Sequence, residues 1–375
     1  MLPAQVFLAL VAFVAALLGA LDAGRAATLH LILAVGAMPL IFGAMGHFIP
    51  VLTRTHGAPA VPAALAGLAL AGGALAVSSF AVPALGTARY VGAGLAASAA
   101  ALLLAWTRRR RRGMLGRPHP GLAWYEAALA CLFVALLAIL AGAIWPQHAV
   151  ALRRLHLHLN TLGFIGLTAW GTLAVLLPTA AGKPDPDAAA RLRRDLPWAV
   201  AGIALVATGA AWLAPLAAVG AAVLALPLAR TATAWLRRYR VELFAWHGAS
   251  PLLGAAFAGY AISLALGAAA AVRPSLTPTS AFVLAFLLPL VSGAASHLLP
   301  VWLRPGRQGD WHAALRSRLG RFAGARALLF CGSGMAAGLG QGWGLPLGGA
   351  VMLWFLLQAA AAVVRAKVFE KEVSA

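Results

Sequence analysis

The chain has 375 residues, of which 62% are hydrophobic and only 10% are charged, and its mean hydropathy is +0.87. Soluble domains carry about 25% charged residues, so this composition excludes a soluble enzyme and indicates an integral membrane protein. The formal charge of +20 is also typical of nucleic-acid-binding proteins, but here the arginines stand between long apolar runs. We therefore expect these arginines to face a lipid surface, and we expect no nucleic-acid partner.

Twelve apolar runs are long enough to cross the bilayer as helices, which takes about 20 residues each. Unbroken stretches of Ala, Leu, Val and Gly favour helices, because the lipid offers no hydrogen bonds to an open strand. The sequence predicts an all-α polytopic membrane protein with twelve transmembrane helices, at approximately 3–23, 27–52, 60–83, 87–107, 121–146, 155–180, 195–215, 217–236, 245–271, 278–303, 324–343 and 345–367.

The 29 Lys and Arg residues predict the orientation of these spans. When the spans alternate across the bilayer, all but five of the 29 fall on one side, and cytoplasmic loops are the ones enriched in Lys and Arg. We predict that both termini are cytoplasmic and that the protein lies in a bacterial-type inner (plasma) membrane. The five on the outer side are Arg25, Arg89, Arg153, Arg154 and Arg273.

A repeated string divides the predicted spans into units. The segments 43–54 and 293–304 share Gly, Ala, His, Pro, Val and Arg at matching positions, and a shorter copy at 171–178 keeps the Gly and the Pro. The copies end the second, sixth and tenth predicted spans. We therefore predict one transmembrane domain, residues 1–375, built from three pseudo-equivalent four-helix units at approximately 1–118, 119–240 and 241–375.

The histidines of the predicted spans form two layers, and the inner layer lies towards the cytoplasm. It contains His47 and His297 at equivalent places in the repeat, with His247 at the start of the ninth span. Two such imidazoles suit axial ligation of one haem, and Arg54 and Arg304 would pair with its propionates. The alternative is that each histidine bonds a carbonyl freed by the nearby proline, and that the arginines only set the topology.

The outer layer contains His30, His158, His156 and His148. His30 and His158 stand at the same distance before the repeated proline, whereas His156 points about 200° away from His158 on a regular helix. This favours His158 over His156 as the inward-facing residue. Neutral imidazoles suit copper, iron or zinc, so we predict a metal site here. The alternative is interhelical hydrogen bonding with Asn160.

The positions of the nine acidic residues point away from ion pumping. All nine acidic residues fall at predicted span ends or in loops, whereas a proton or cation pump needs carboxylates at depth. His56, His119 and His312 lie in arginine-bearing loops, so we predict that they are solvated.

The twelve spans, the cytoplasmic termini, the three units and the histidines on the second, sixth and tenth spans resemble the haem-copper oxidase catalytic subunit. They also resemble its distant relatives, the NnrS-type haem- and copper-containing membrane proteins. The motifs behind the resemblance are residues 30–50 and 156–171. The resemblance implies that His30 is a haem ligand and that His158 or His156 is a copper ligand. It implies a retained scaffold with fewer metals than that family carries, either one haem, of the b type, or one copper.

The copper site of that family needs three histidines and is incomplete here, because the seventh and eighth predicted spans contain none. We therefore predict a haem- and/or copper-binding protein with a redox, sensing or assembly role and a respiratory or electron-transfer partner. We do not predict oxygen reduction, and no catalytic residue is assigned. Two alternatives stay open: a transporter or exporter whose histidines gate or hydrogen-bond, and a structural subunit of a respiratory complex.

Overall fold

The computed structural model describes residues 2–19, 24–57 and 59–374, with side chains described as far as 366. These residues form helices and short connections, with no strand among them. In chain order the helices are α1 Leu2–Leu17, α2 Gly24–Thr53, α3 Ala60–Ala81, α4 Ala88–Arg112, α5 Gly121–Ile144, α6 Pro146–Ala181, α7 Ala188–Trp212, α8 Ala214–Leu243, α9 Ser250–Ala269, α10 Pro278–Leu303, α11 Asp310–Leu319, α12 Ala323–Gly338 and α13 Gly344–Ser374.

Ten of the described helices are long and apolar enough to cross a membrane: α2 to α10 and the Gly344–Ala366 part of α13. The described chain is therefore an all-helical, multi-pass membrane protein, and the count of twelve spans stays a prediction. The first predicted span, 3–23, corresponds to the 16-residue helix α1, and its last residues, 20–23, lie outside the described residues. The eleventh predicted span, 324–343, corresponds to helix α12, which also has 16 residues and contains the fully buried Arg326.

Three helices, α2, α6 and α10, each contain a π-helical segment, at Leu31–Ala37, Leu159–Gly166 and Phe282–Leu287. Each segment precedes the proline of the repeated string by the same distance, to within one residue. Such wide turns interrupt the regular hydrogen-bond ladder and recur at functional sites. These helices are also the most enclosed spans, with 50, 72 and 83% of their apolar windows buried, against at most 44% elsewhere.

Glycines let neighbouring helices approach two of these π-helical segments closely. A Cβ atom on Gly73 of α3 would clash with the carbonyl oxygen of Ala34 in α2, and one on Gly259 of α9 would clash with that of Ala285 in α10. Close backbone approach through small residues is a common way to pack helices in lipid. Because Ala34 lies one turn after His30, Gly73 fixes the position of α3 beside that histidine.

The chain divides into two compact units. The first comprises Met1–Ala12, Gly19–Val175 and Asp185–Thr231, and the second comprises Phe13–Leu18, Leu176–Pro184 and Ala232–Ala375. The histidines of the second and sixth predicted spans lie in the first unit, whichever layer they belong to. His247 and His297 of the inner layer lie in the second unit. The three repeat units within one transmembrane domain stay a prediction.

Candidate metal centre

His30 and His158 take the same local conformation in their two helices. Each is the last residue before a π-helical segment. The Nδ1 atom of His30 lies 2.8 Å from the carbonyl oxygen of Ala26, and that of His158 lies 2.8 Å from the carbonyl oxygen of Arg154. A carbonyl oxygen only accepts, so Nδ1 carries the proton in both rings, and Nε2 is left with a lone pair. In this tautomer Nε2 is the nitrogen that can bind a metal.

His156 is anchored in the same way, but by a different helix. Its Nδ1–H donates to the carbonyl oxygen of Ala135 in α5 at 2.9 Å. The side-chain nitrogen of Asn160 donates to the backbone oxygen of His156 at 2.9 Å and lies 3.4 Å from Nε2 of the ring, which is the ring nitrogen that can accept from it. The ring of His156 is therefore held by a neighbouring helix on one side and by the next turn of its own helix on the other.

The structure brings His30 and His156 together. Their ring centroids are 6.4 Å apart, and the ring planes are within 13° of parallel. The ring of Phe80 in α3 covers His30, with a centroid separation of 4.8 Å. Both histidines have intermediate solvent exposure. The side-chain nitrogen of Asn160 lies 3.4 Å from Nε2 of His156, so a metal ion bound by both rings would replace that contact.

This arrangement differs from the sequence-based preference for His158 over His156. The repeat places His30 and His158 at equivalent positions, and their shared conformation agrees with that. Equivalent residues need not meet, because a contact between two helices joins whichever faces the packing brings together. The other outer-layer candidate, His148, ends the short 3₁₀ turn Pro146–His148 and is exposed.

The inner-layer candidates are divided between the two units, with His47 in the first and His297 in the second. The ring of His47 packs edge-on against Phe48 at 5.2 Å, and the backbone oxygen of His297 accepts a hydrogen bond from Nε of Arg316 at 3.1 Å. His247 is exposed, and its Nδ1 accepts a hydrogen bond from a backbone N–H at 3.1 Å. Axial ligation of one haem by His47 and His297 stays a prediction.

The two arginines predicted to pair with haem propionates take different positions. Arg54 is exposed and ends α2 in the left-handed conformation, at φ 51°. The guanidinium of Arg304 lies over the ring of Trp311 in α11, 4.7 Å from its centroid. Their pairing with propionates also stays a prediction.

The prediction that His312 is solvated was wrong, because its side chain is buried, at 5% exposure. Its Nδ1 accepts a hydrogen bond from the backbone N–H of Gly309, and its Nε2–H donates to the carbonyl oxygen of Arg304 at 2.9 Å. The ring thus caps the start of α11, which is a structural role. Another loop histidine, His119, is half-buried, and burial together with the nearby Arg193 charge lowers its pKa.

Within the described residues, no group of three His, Cys, Asp or Glu side chains converges to hold a metal ion. His30 and His156 are the two predicted site histidines whose rings the structure brings together. Two of their supporting groups, the carbonyl of Ala135 and the ring of Phe80, were missed by sequence reasoning. A backbone carbonyl gives no sequence signal, and Phe80 is one of many apolar residues in its helix.

No protein-family model matches this chain, and no curated protein matches it.

Proposed function

We propose that this protein binds haem and/or copper within a membrane and serves redox, sensing or assembly chemistry. The observation that carries the proposal is the pair His30–His156, whose parallel rings lie 6.4 Å apart. Imidazole nitrogens are good ligands for both iron and copper. A pair of them on two helices of one compact unit provides a fixed, preformed set of donors.

The surroundings of the pair fit a metal centre. Metal-binding histidines commonly donate their second N–H to a backbone carbonyl, which fixes the tautomer and raises the basicity of the ligating nitrogen. The carbonyls of Ala26 and Ala135 play this part for the two rings. Asn160 holds the backbone of His156, and Phe80 shields His30. A bound haem or copper would supply one-electron redox chemistry at this place.

The wider scaffold supports an oxidase-like architecture of three four-helix units. The π-helical segments of α2, α6 and α10 stand in register with the repeated prolines, and His30 and His158 share one conformation. We extend the proposal to twelve spans in a bacterial-type inner membrane, with both termini cytoplasmic, on the distribution of Lys and Arg. An electron-transfer or respiratory partner would then exchange electrons with the centre.

The test is the metal content and colour of the protein purified in detergent from cells supplied with iron and copper. We expect haem or copper at about one equivalent per chain, measured by elemental analysis and a visible absorption spectrum. The double variant His30→Ala/His156→Ala should lose it. His56→Ala is the control, because His56 is exposed in the loop between α2 and α3. A colourless wild-type protein without iron or copper would reduce the pair to an aromatic contact and refute the proposal.

A further inference from the structure

We infer that Arg108, Arg109 and Arg112, at the end of α4, bind the phosphate group of an anionic phospholipid, and that Leu115 contacts its acyl chains. These three arginines are called the arginine face. The inference goes beyond the proposed function, because the arginine face lies beside the end of α2, whereas His30 stands near the start of that helix.

The five arginines that end α4 divide into two groups by their direction around the helix. Successive residues turn by about 100°, so the side chains of Arg108, Arg109 and Arg112 fall within an arc of about 100°. The side chains of Arg110 and Arg111 leave the opposite half of the helix. The helix therefore presents three positive charges in one direction.

Only the second group has partners within the protein. Nη1 of Arg110 donates to Oγ1 of Thr55 and to the backbone oxygen of His56, both at 2.6 Å. Nη1 of Arg111 lies 2.8 Å from Oε2 of Glu126, with which it forms an ion pair. The members of the arginine face are all exposed, and none of them has an ion pair with any residue that the structure describes.

The arginine face has the chemistry of a phosphate site. Arg108 and Arg112 stand four residues apart on one helix, and like charges at that spacing repel each other. A phosphate between them would remove the repulsion, and a guanidinium group binds phosphate through two parallel hydrogen bonds. A zwitterionic head group carries its own cation, so the arginine face should favour an anionic lipid.

The position of the arginine face along α4 favours a lipid over a free anion. Helix α4 is long and apolar enough to cross a membrane, and Trp residues concentrate at the membrane–water interface. The ring of Trp106 lies under the guanidinium of Arg110, 4.6 Å from ring centroid to Cζ. Residues 108–112 lie about 3–9 Å beyond Trp106 along the helix axis, and the head-group layer is about 5–8 Å thick.

The loop after α4 adds an apolar contact. Leu115 follows the arginines by three residues, and its side chain is 94% exposed. The loop turns back towards the membrane, because the N–H of His119 donates to the carbonyl oxygen of Leu52 in the last turn of α2, at 3.2 Å. Acyl chains beside a bound head group would remove Leu115 from water. Positive charge alone is enough to set the topology of a chain, and it explains neither the shared direction of three arginines nor the exposed leucine.

The experiment measures phospholipid binding by the full-length protein in detergent micelles. Native mass spectrometry counts the lipids retained as phosphatidylglycerol or phosphatidylcholine is titrated in. We expect phosphatidylglycerol to bind about 10-fold more tightly than phosphatidylcholine. The triple variant Arg108→Gln/Arg109→Gln/Arg112→Gln should weaken phosphatidylglycerol binding on the order of 100-fold, because each arginine near an anionic surface contributes about 5-fold. Leu115→Ser should weaken it by about 10-fold, and unchanged binding would refute the contact with the acyl chains.

A second triple variant, Arg237→Gln/Arg240→Gln/Arg318→Gln, is the matched control. It removes three exposed arginines from other segments and leaves the same net charge, so phosphatidylglycerol should bind to it as to the wild-type protein. Tryptophan fluorescence should show the same unfolding temperature for both triple variants without added lipid, because all six substituted side chains are exposed.

Three results would overturn the inference. Equal binding of the two lipids by the wild-type protein would exclude a preference for anionic head groups. Equal losses in the two triple variants would mean that net charge attracts the lipid without a defined site. Displacement of phosphatidylglycerol by inorganic phosphate, but not by chloride at the same ionic strength, would identify a site for a free anion.

Discussion

Replacing Gly73 by alanine should destabilise the protein, whereas the same change at Gly67 should not. Both glycines lie in α3, but a Cβ atom on Gly73 would clash with the carbonyl oxygen of Ala34, and one on Gly67 would meet no heavy atom within 4 Å. The clash is with backbone, which cannot rotate away, so we expect an overpacking cost of about 1–3 kcal/mol. At Gly67 the helix should gain about 0.5–1 kcal/mol from the loss of a flexible glycine.

The difference between the two variants should therefore be about 1.5–4 kcal/mol. The chain contains 12 Trp, so intrinsic fluorescence can follow thermal unfolding in detergent, and we expect Gly73→Ala to unfold roughly 3–8 °C below Gly67→Ala. Because Ala34 stands one turn after His30, Gly73→Ala should also reduce metal occupancy. Equal unfolding temperatures for the two variants would show that α3 does not pack on the π-helical segment as described.

Three further predictions address the second unit, the candidate site and a loop. Gly259→Ala should lower the unfolding temperature as Gly73→Ala does, because it meets the backbone of Ala285, whereas Gly332→Ala, which has open space, should not; similar losses in both would contradict this. Asn160→Leu should weaken haem or copper binding by about 10-fold, measured by loss on dialysis, because His156 then loses the hydrogen bond from Asn160 to its backbone. Unchanged retention of the haem or copper would count against this supporting role of Asn160. Burial and a nearby arginine lower the pKa of His119 below its usual 6.5. Below pH 6.5 the imidazole is therefore protonated in the unfolded chain but stays neutral in the folded protein. The free energy of unfolding should fall as the pH drops below 6.5. His119→Asn should make unfolding temperature less sensitive to pH in that range, and an unchanged pH profile would refute the assignment.

Composition and periodic repetition determined much of the architecture. Apolar runs of about 20 residues can satisfy their backbone in lipid only as helices, and the ten described helices that are long and apolar enough to cross a membrane are all among the twelve predicted spans. The equal spacing from His30 to Pro50 and from His158 to Pro178 is matched by an equal local conformation of the two histidines. In each helix the histidine directly precedes a π-helical segment and bonds the carbonyl four residues earlier. Such features depend on local sequence, so a repeated sequence reproduces them.

Only the tertiary structure decided which side chains meet. The sequence placed His156 and His158 two residues apart on one helix, but the choice of His156 as the neighbour of His30 depends on how α2, α5 and α6 pack, including the carbonyl of Ala135 that orients the ring. The burial of His312 likewise depends on where the chain folds back to begin α11. The sequence determines where a side chain lies along its helix, whereas the packing of the other helices determines which side chain it contacts. The sequence alone therefore indicated a layer of histidines, and the fold selected from it the pair proposed to hold the metal.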